Sequence, residues 1–300
     1  MRRHGYRRFR PATQAAVPAL LWTFPGAGNT WMRMAIDYST GFYSGSIYGD
    51  PSLLPLLPGE GRCDASVIAV KAHPTHIDSY DIVAAPGGVL RLNTSRKPQY
   101  LKCEGLRFAG AIAVVRDPYL SIWAEYKRYL NWKEVVAGRP PVASSAACRM
   151  ALRNQPLHGG ALLKDCFDAA HFRQHALRLA RAWKHMWYHY GRFQKMADAR
   201  FLQVSFEELL HPRRRAGVLQ RVLGALGRPQ PLTDEESSCA FALAEHPQIH
   251  RDRRAERQAS VTSVHDAYRN ATLVCQMWAL FRHKAKKAGY EPFGGVRCGG

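Results

Sequence analysis

The chain has 300 residues, 46% of them hydrophobic, and carries 43 Lys and Arg against 23 Asp and Glu, a formal net charge of +20. That apolar share supports a substantial core, one large α/β domain is the expectation at this length, and no segment is long and apolar enough to span a membrane. The charge points to polyanionic partners, whether nucleic acid, anionic glycan, anionic membrane or a phosphate-bearing cosubstrate, and does not choose among them.

The stretch from Met1 to Pro18 is basic, with Arg2, Arg3, Arg7, Arg8 and Arg10 and no acidic residue, and it lacks the apolar core of a secretory signal. It is expected to be a solvated arm. Leu20 to Gly41 then reads as a short apolar strand through Phe24, a tight loop from Pro25 to Thr30, and a helix that ends at Gly41. Gly26 and Gly28 let backbone N–H groups approach a ligand that a Cβ would block. The helix N-terminus adds unpaired N–H groups and a partial positive charge, so the unit reads as an anion cradle, with an ordinary strand–turn–helix corner as the alternative.

Phe42 to Cys63 is dense in Gly and Pro and supports no long helix; acceptor recognition and a plain surface excursion fit it equally. A second strand, Ser66 to Val70, runs into Lys71-Ala72-His73-Pro74. Open α/β sheets bind ligands at the carboxyl ends of their strands. There a His can take a proton from an alcohol, and a Lys can neutralise charge on a transferring group. His76 is a rival base. Asp81 to Leu106 reads as irregular, with Gly87-Gly88 as a turn signal. Ala111 to Val115 is a continuous apolar run of the buried parallel type. Arg116-Asp117-Pro118 ends it, with Asp117 suited to an N-cap, Pro118 to the first helical position and Leu120, Trp123, Tyr126 and Leu130 to the apolar stripe of the helix. Arg116 thus projects at a strand end, where its planar fork suits a phosphate or a salt bridge.

These segments together resemble the PAPS-dependent sulfotransferases. Thr23 to Trp31 looks like that family's 5′-phosphosulfate loop. Lys71-Ala72-His73-Pro74 looks like its Lys-Thr-His-Pro element, whose His is the general base. Arg116-Asp117-Pro118 looks like the start of its 3′-phosphate site. The resemblance runs from about Leu20 to Phe293, and the loop and Arg-Asp-Pro-Tyr versions are most similar to the sulfotransferase domain of WSC-domain-containing proteins. It departs from cytosolic members in two places. Gly26 stands where they carry a loop Lys, so the cation on the bridging oxygen falls to Lys71 or Arg33. Ala124 stands where they carry a Ser, with Ser121 one turn earlier as the substitute.

Further along, Phe172, Ala176, Leu179, Trp183, Met186, Tyr190 and Phe193 form one long helical stripe, read as core. His158, His171, His175, His185 and His189 show no metal-ligand spacing and read as a solvated face. Phe201 to Phe206 is a further strand. Thr233 and Glu236 make a capping box for a helix to about Glu245. Arg253, Arg254 and Arg257 lie in a basic loop that, by resemblance, closes on the 3′-phosphate. The last helix has Leu273, Met277, Leu280 and Lys284 on one face and ends at Gly289. The seven cysteines include no Cys-x-x-Cys pair, so a zinc site has no support, and their odd number leaves at least one unpaired in a monomer. Asn93-Thr94-Ser95 and Asn270-Ala271-Thr272 match the N-glycosylation pattern.

The expectation is a three-layer α/β domain over 19–293 with a central mostly parallel sheet, like a nucleotide kinase, between a basic arm (1–18) and a flexible tail (294–300). The resemblance implies transfer of a sulfuryl group from PAPS, leaving PAP, to an acceptor hydroxyl on a carbohydrate. His73 and Lys71 take the catalytic roles. Pro25, Gly26, Ala27, Gly28, Asn29, Thr30, Trp31, Arg116 and Ser121 bind the cosubstrate, with Trp31 near the adenine; this chemistry requires no metal. A P-loop kinase or NTPase is an alternative, disfavoured because this loop lacks the Gly-Lys-Ser/Thr ending of such enzymes. A basic polyanion-binding protein and a degenerate PAP-binding protein complete the alternatives, and no nucleic-acid motif is visible. By the resemblance the compartment is the Golgi lumen; with no signal or anchor in view, the cytoplasm stands beside it.

Overall fold

A computed structural model describes residues 7–14, 16–73, 81–85, 89–93, 103–137, 169–195, 200–228, 231–244, 264–265 and 267–299. In chain order the elements are β1 (Ala19–Thr23), α1 (Asn29–Thr40), β2 (Gly45–Ser46), β3 (Ala69–Ala72), β4 (Asp81–Ala85), β5 (Val89–Asn93), β6 (Arg107–Phe108), β7 (Gly110–Val115), α2 (Pro118–Ala137), α3 (Ala169–Lys195), β8 (Arg200–Ser205), α4 (Phe206–Leu210), α5 (Arg215–Ala225), α6 (Asp234–Ala244) and α7 (Ala271–Lys287). Where length predicts one domain, the chain divides into two compact units, residues 1–116 with 186–245 and residues 117–185 with 246–300.

The first unit holds a five-stranded, all-parallel sheet in the order β2-β3-β1-β7-β8. Every residue of β1, β3 and β7 is buried, as expected for strands covered on both faces. Helices flank the sheet, as a three-layer α/β fold requires. α1 packs with α5 and α6. In the last turns of α3, the His189 ring lies 5.7 Å from that of Trp22, and the Tyr190 hydroxyl donates to the Trp22 carbonyl at 3.4 Å. From β1 the chain crosses toward β3, and from β7 it crosses the other way, toward β8. The crevice between the carboxyl ends of β1 and β7 is therefore the topological switch point, where open α/β sheets bind ligands.

Asp81 to Leu106, expected to be irregular, supplies most of a second, antiparallel sheet in the order β4-β5-β6. Its sign was the alternation Leu90-Arg91-Leu92, with both leucines buried and Arg91 exposed. Gly87-Gly88 falls between β4 and β5, outside the described residues.

The arm is docked over its described part. Arg8 N–H donates to Gly41 O at 3.1 Å, Tyr43 N–H to Arg8 O at 3.0 Å and Arg10 N–H to Ser66 O at 2.7 Å. Phe9 anchors it, its ring 4.9 Å from Tyr43 with the Arg62 guanidinium 4.0 Å from its centroid. The expectation of a solvated arm overlooked this aromatic. Cys63 is bonded to Cys103 and Cys275 to Cys298, so the tail is tied to α7, and Cys239 is a free thiol. Cys148 and Cys166 lie outside the described residues.

Along its buried face α1 carries an ionic network. Arg33, fully buried, donates from Nη1 to Glu60 Oε2, from Nε to Ser44 Oγ at 3.1 Å and from Nη2 to Ser44 O at 3.1 Å. Burial pushes the Glu60 carboxyl up, but the charges of Arg33 and Lys71 and hydrogen bonds from Arg33 and Ser46 hold it below the ordinary value. Arg33 is thereby committed inside the fold, which removes it as the cosubstrate's cation. Asp37 accepts from Ser44 N–H at 2.8 Å. Burial pushes its carboxyl up to about 7, against the opposing pull of Arg33, Ser44 and Arg7.

The sign follows from which form the fold prefers. Protonated Asp37 is favoured in the native state, so the folded chain binds more protons than the unfolded one between the ordinary carboxylate range and about 7. This group's contribution to stability therefore falls as pH rises through that window. Asp37→Asn, always neutral, is expected to lose less stability than wild type between about pH 4 and about pH 7, by on the order of a few kcal/mol. Urea unfolding at both pH values reads this; equal losses in the two proteins would acquit Asp37.

In the second unit, Asp117 caps α2 as expected, its Oδ1 accepting from Tyr119 N–H at 2.8 Å and Leu120 N–H at 3.0 Å. The buried face of α2 is Tyr119, Ile122, Trp123 and Tyr126; Leu120 is only half-buried. Aromatic rings build this core: Tyr126 meets Phe172 at 5.0 Å, Trp183 meets Phe281 at 5.4 Å, and the Tyr268 hydroxyl donates to Tyr119 O at 2.9 Å. The stripe of α3 is buried from Phe172 to Tyr190 as predicted, but so are His175 and His189, whose imidazoles widen that stripe where a solvated face was expected. Along α7 the buried seam drifts through Leu273, Val274, Met277, Trp278, Phe281 and Ala285, leaving Leu280 half-buried. Among the described residues no helix is long and apolar enough to cross a membrane.

Candidate functional site

The site is built on the carboxyl ends of β3, β1 and β7. After Thr23 the chain turns, with Ala27 N–H donating to Phe24 O at 3.1 Å, and enters α1 through Gly28 at φ 82°. Burial alternates along the loop. Pro25, Ala27, Asn29 and Trp31 turn inward, while Gly26, Gly28 and Thr30 remain partly exposed. Gly28 contributes no side-chain cap, so the first-turn amides of Asn29, Thr30 and Trp31 have no intrahelical acceptor and carry the positive end of the helix dipole. The strand, turn and helix thus fall where the sequence reading places them.

Gly28 is required for two independent reasons. Its φ of 82° is a left-handed value that a side chain resists, and a Cβ there would lie 2.0 Å from Phe206 Cε2. Gly28→Ala is expected to lower stability by roughly 2–4 kcal/mol. Thermal unfolding measures this; an alanine variant as stable as wild type would contradict it.

His73 sits where continuation of the β1–β3 register, Trp22↔Ala72, brings it opposite Thr23. Its Nδ1 lies 2.7 Å from Thr23 O and 3.2 Å from Thr23 Oγ1. A carbonyl only accepts, so Nδ1 carries the hydrogen and the neutral ring has its lone pair on Nε2. Asn29 Nδ2 donates to the same Thr23 Oγ1, which ties the cradle to the imidazole. Lys71, two residues earlier on β3, is 8% exposed and lies in the field of Glu60.

Arg116 follows β7, where the register Thr23↔Val114 continues to bring it opposite Pro25. Its Nη1 donates to Gly26 O at 2.7 Å, and its guanidinium carbon lies 4.8 Å from the Phe206 ring centroid. Phe206 thus supports both the loop at Gly28 and the arginine. The structure brings together Pro25 to Thr30, Lys71, His73 and Arg116. Trp31 is 3% exposed, stacked on Phe241 at 5.2 Å and edge-on to Phe206 at 6.3 Å, so its ring is part of the core where packing near an adenine was expected. Ser121 belongs to the second unit, in the first turn of α2, buried and with no hydrogen-bond partner for its hydroxyl. Pro74, His76, Arg253, Arg254 and Arg257 lie outside the described residues. No group of three or more potential metal ligands occurs among the described residues.

The sequence reading missed Thr23 and Phe206 as supports and Tyr48, which contacts both Lys71 and His73. Only the strand register could have signalled Thr23. Phe206 directly follows β8, a position that marks a site-facing residue in such sheets.

No family model matches this chain. It is 38% identical over 120 residues to WSCD family member GA21586 of Drosophila pseudoobscura pseudoobscura, an alignment taking 39% of this chain and 30% of that protein. It is 36% identical over 120 residues to WSCD family member CG9164 of Drosophila melanogaster, with the same coverage of 39% and 30%. Over 109 residues it is 35% identical to WSCD family member AAEL009094 of Aedes aegypti, covering 36% of this chain and 26% of that protein. The match spans less than a third of each relative.

Proposed function

We propose that this chain is a sulfotransferase that moves a sulfuryl group from PAPS to an acceptor hydroxyl on a carbohydrate. The observation that carries the reading is the contact of His73 Nδ1 with Thr23 O at 2.7 Å. Nδ1 donates there, so the lone pair of the neutral ring lies on Nε2, the atom that would take an acceptor's proton. The strand–loop–helix cradle begins at that same Thr23, and the similarity to WSCD family members agrees with the resemblance of the loop and the Arg-Asp-Pro element.

In this reading the amides of Gly26 to Thr30, with the Thr30 hydroxyl, hold the 5′-phosphosulfate. Arg116, aimed by Gly26 O and Phe206, holds the 3′-phosphate. His73 Nε2 takes the acceptor's proton as the acceptor oxygen bonds to sulfur. The bond from sulfur to the phosphate oxygen breaks, and PAP leaves with that oxygen's negative charge. Lys71 stabilises the charge on the transferring group. Such chemistry rests on positioning and preorganised charge. The disulfides fit an oxidising compartment, in keeping with a secretory-pathway lumen.

Calorimetric titration with PAP, with AMP and ATP as controls, tests the cosubstrate. Wild type is expected to bind PAP in the micromolar range and AMP much more weakly. Arg116→Ala is expected to weaken PAP roughly 10- to 100-fold, the loss of one or two charge-assisted hydrogen bonds. Arg116→Lys should recover only part of this, since the ammonium lacks the fork. A folded wild-type protein that ignores PAP would end this reading.

A further inference from the structure

Tyr48 lies in the loop after β2, within a stretch that no motif covers. Its amide donates to Ser46 Oγ at 3.1 Å, and the adjacent Ile47 amide donates to Lys71 O at 3.2 Å. Pairing of β2 with β3 therefore delivers Tyr48 to the carboxyl end of β3. There its hydroxyl accepts the His73 N–H at 2.8 Å. Its ring stacks on the imidazole, with centroids 5.3 Å apart and planes 25° from parallel, and Lys71 Nζ lies 5.1 Å from the same ring centroid. One side chain touches both residues that the proposed reaction needs.

We propose that Tyr48 is the positioning residue of this site, holding His73 and Lys71 for sulfuryl transfer. The inference rests on the reading of His73 as the base. The contacts to Thr23 hold the imidazole at its Nδ1 edge. The stacked Tyr48 ring holds it across its face, which sets the plane in which Nε2 lies. The hydroxyl anchors the backbone at the point where β3 has ended, since pairing of β2 with β3 stops at Ser46↔Lys71. When Nε2 takes the acceptor's proton the ring becomes a cation, and an aromatic face beside it favours that charge, as it favours the Lys71 ammonium. The contacts of Tyr48 go to His73 and Lys71, the two residues of the proposed chemical step, so its effect is expected on turnover more than on cosubstrate affinity.

The test uses the whole chain and PAPS with water as the acceptor, reading sulfate release at saturating PAPS, with PAP calorimetry on the same samples. His73→Ala sets the floor. Tyr48→Leu, which removes both ring and hydroxyl, is expected to lower turnover at least about 10-fold, because misplacement of a reacting group by about 1 Å can cost roughly 100-fold. Tyr48→Phe keeps the stack and is expected to lose roughly fivefold, one neutral hydrogen bond. PAP affinity stays within about threefold of wild type in both, as expected for positioning that acts on chemistry and not on binding. If Tyr48→Leu does not fold, Tyr48→Phe decides alone. Turnover equal to wild type in a variant that binds PAP overturns the proposal, and so does a wild type that binds PAP yet turns over no faster than the His73→Ala floor. Loss of PAP binding by wild type itself strikes the sulfotransferase reading instead, so the two failures are separable.

Discussion

His73→Ala is expected to lower sulfuryl transfer by roughly 100- to 10,000-fold, the range for losing a positioned general base, while PAP binding stays close to wild type. The separation follows from the geometry. The imidazole is held by Thr23 and Tyr48, whereas the cradle is made of backbone amides at the start of α1 and by Arg116 on the far side of β1. Removing the ring takes away Nε2 and leaves those donors in place. His73→Gln is the useful companion, because a carboxamide can still donate to Thr23 O but cannot accept and hold the proton at neutral pH. Both variants are therefore expected to fold, to bind PAP and to fail in turnover. Single-turnover release of PAP from PAPS measures the step directly. Full turnover by either variant removes His73 from the role and makes His76 the candidate base.

Arg33→Met is expected to destabilise the protein by roughly 3–5 kcal/mol, because it leaves a buried carboxylate without its partner. Both members of the Arg33–Glu60 pair have fully buried side chains. The pair costs more to break than to do without, so Arg33→Met with Glu60→Leu is expected to recover most of the loss. The single variant should melt on the order of 10 °C below wild type. Since Arg33 also holds Ser44, whose amide donates to Asp37, the damage should spread along α1 toward its C-terminal end. Thermal unfolding of the two single variants and the double variant gives the coupling directly. Strictly additive losses would mean that the pair is not the unit described here.

Much of the fold is written in local signals. The continuous apolar runs at β1 and β7, the capping box of Thr233 and Glu236, with donor–acceptor distances of 2.9 and 3.1 Å, and the Asp117 cap all appear where spacing predicts them. Gly41 ends α1 and Gly289 follows α7, both at positive φ. Each depends on residues within one helical turn or one strand, so a short window holds the whole cause. The strand–loop–helix cradle was legible for the same reason.

The sequence by itself therefore determined β1, α1, β7 and α6, the Asp117 and Thr233 caps and the strand–loop–helix run at Pro25 to Thr30, while the paired β4 and β5 escaped it. The tertiary structure decided which side chains meet. Arg116 reaches Gly26 across 90 residues, His73 reaches Thr23 across 50, Arg33 reaches Glu60 across 27 and Tyr48 reaches His73 across 25. Those meetings follow from strand order and register, β2 beside β3 and β1 between β3 and β7, which no local periodicity encodes. The same cause explains the two reassignments. Arg33 and Trp31 belong to the helix that opens the cradle, yet a helix presents successive residues to different sides, and these two turn inward to Glu60 and Phe241. Composition allows a basic residue or an indole to serve a ligand or the core; only the packing of α1 decides between them.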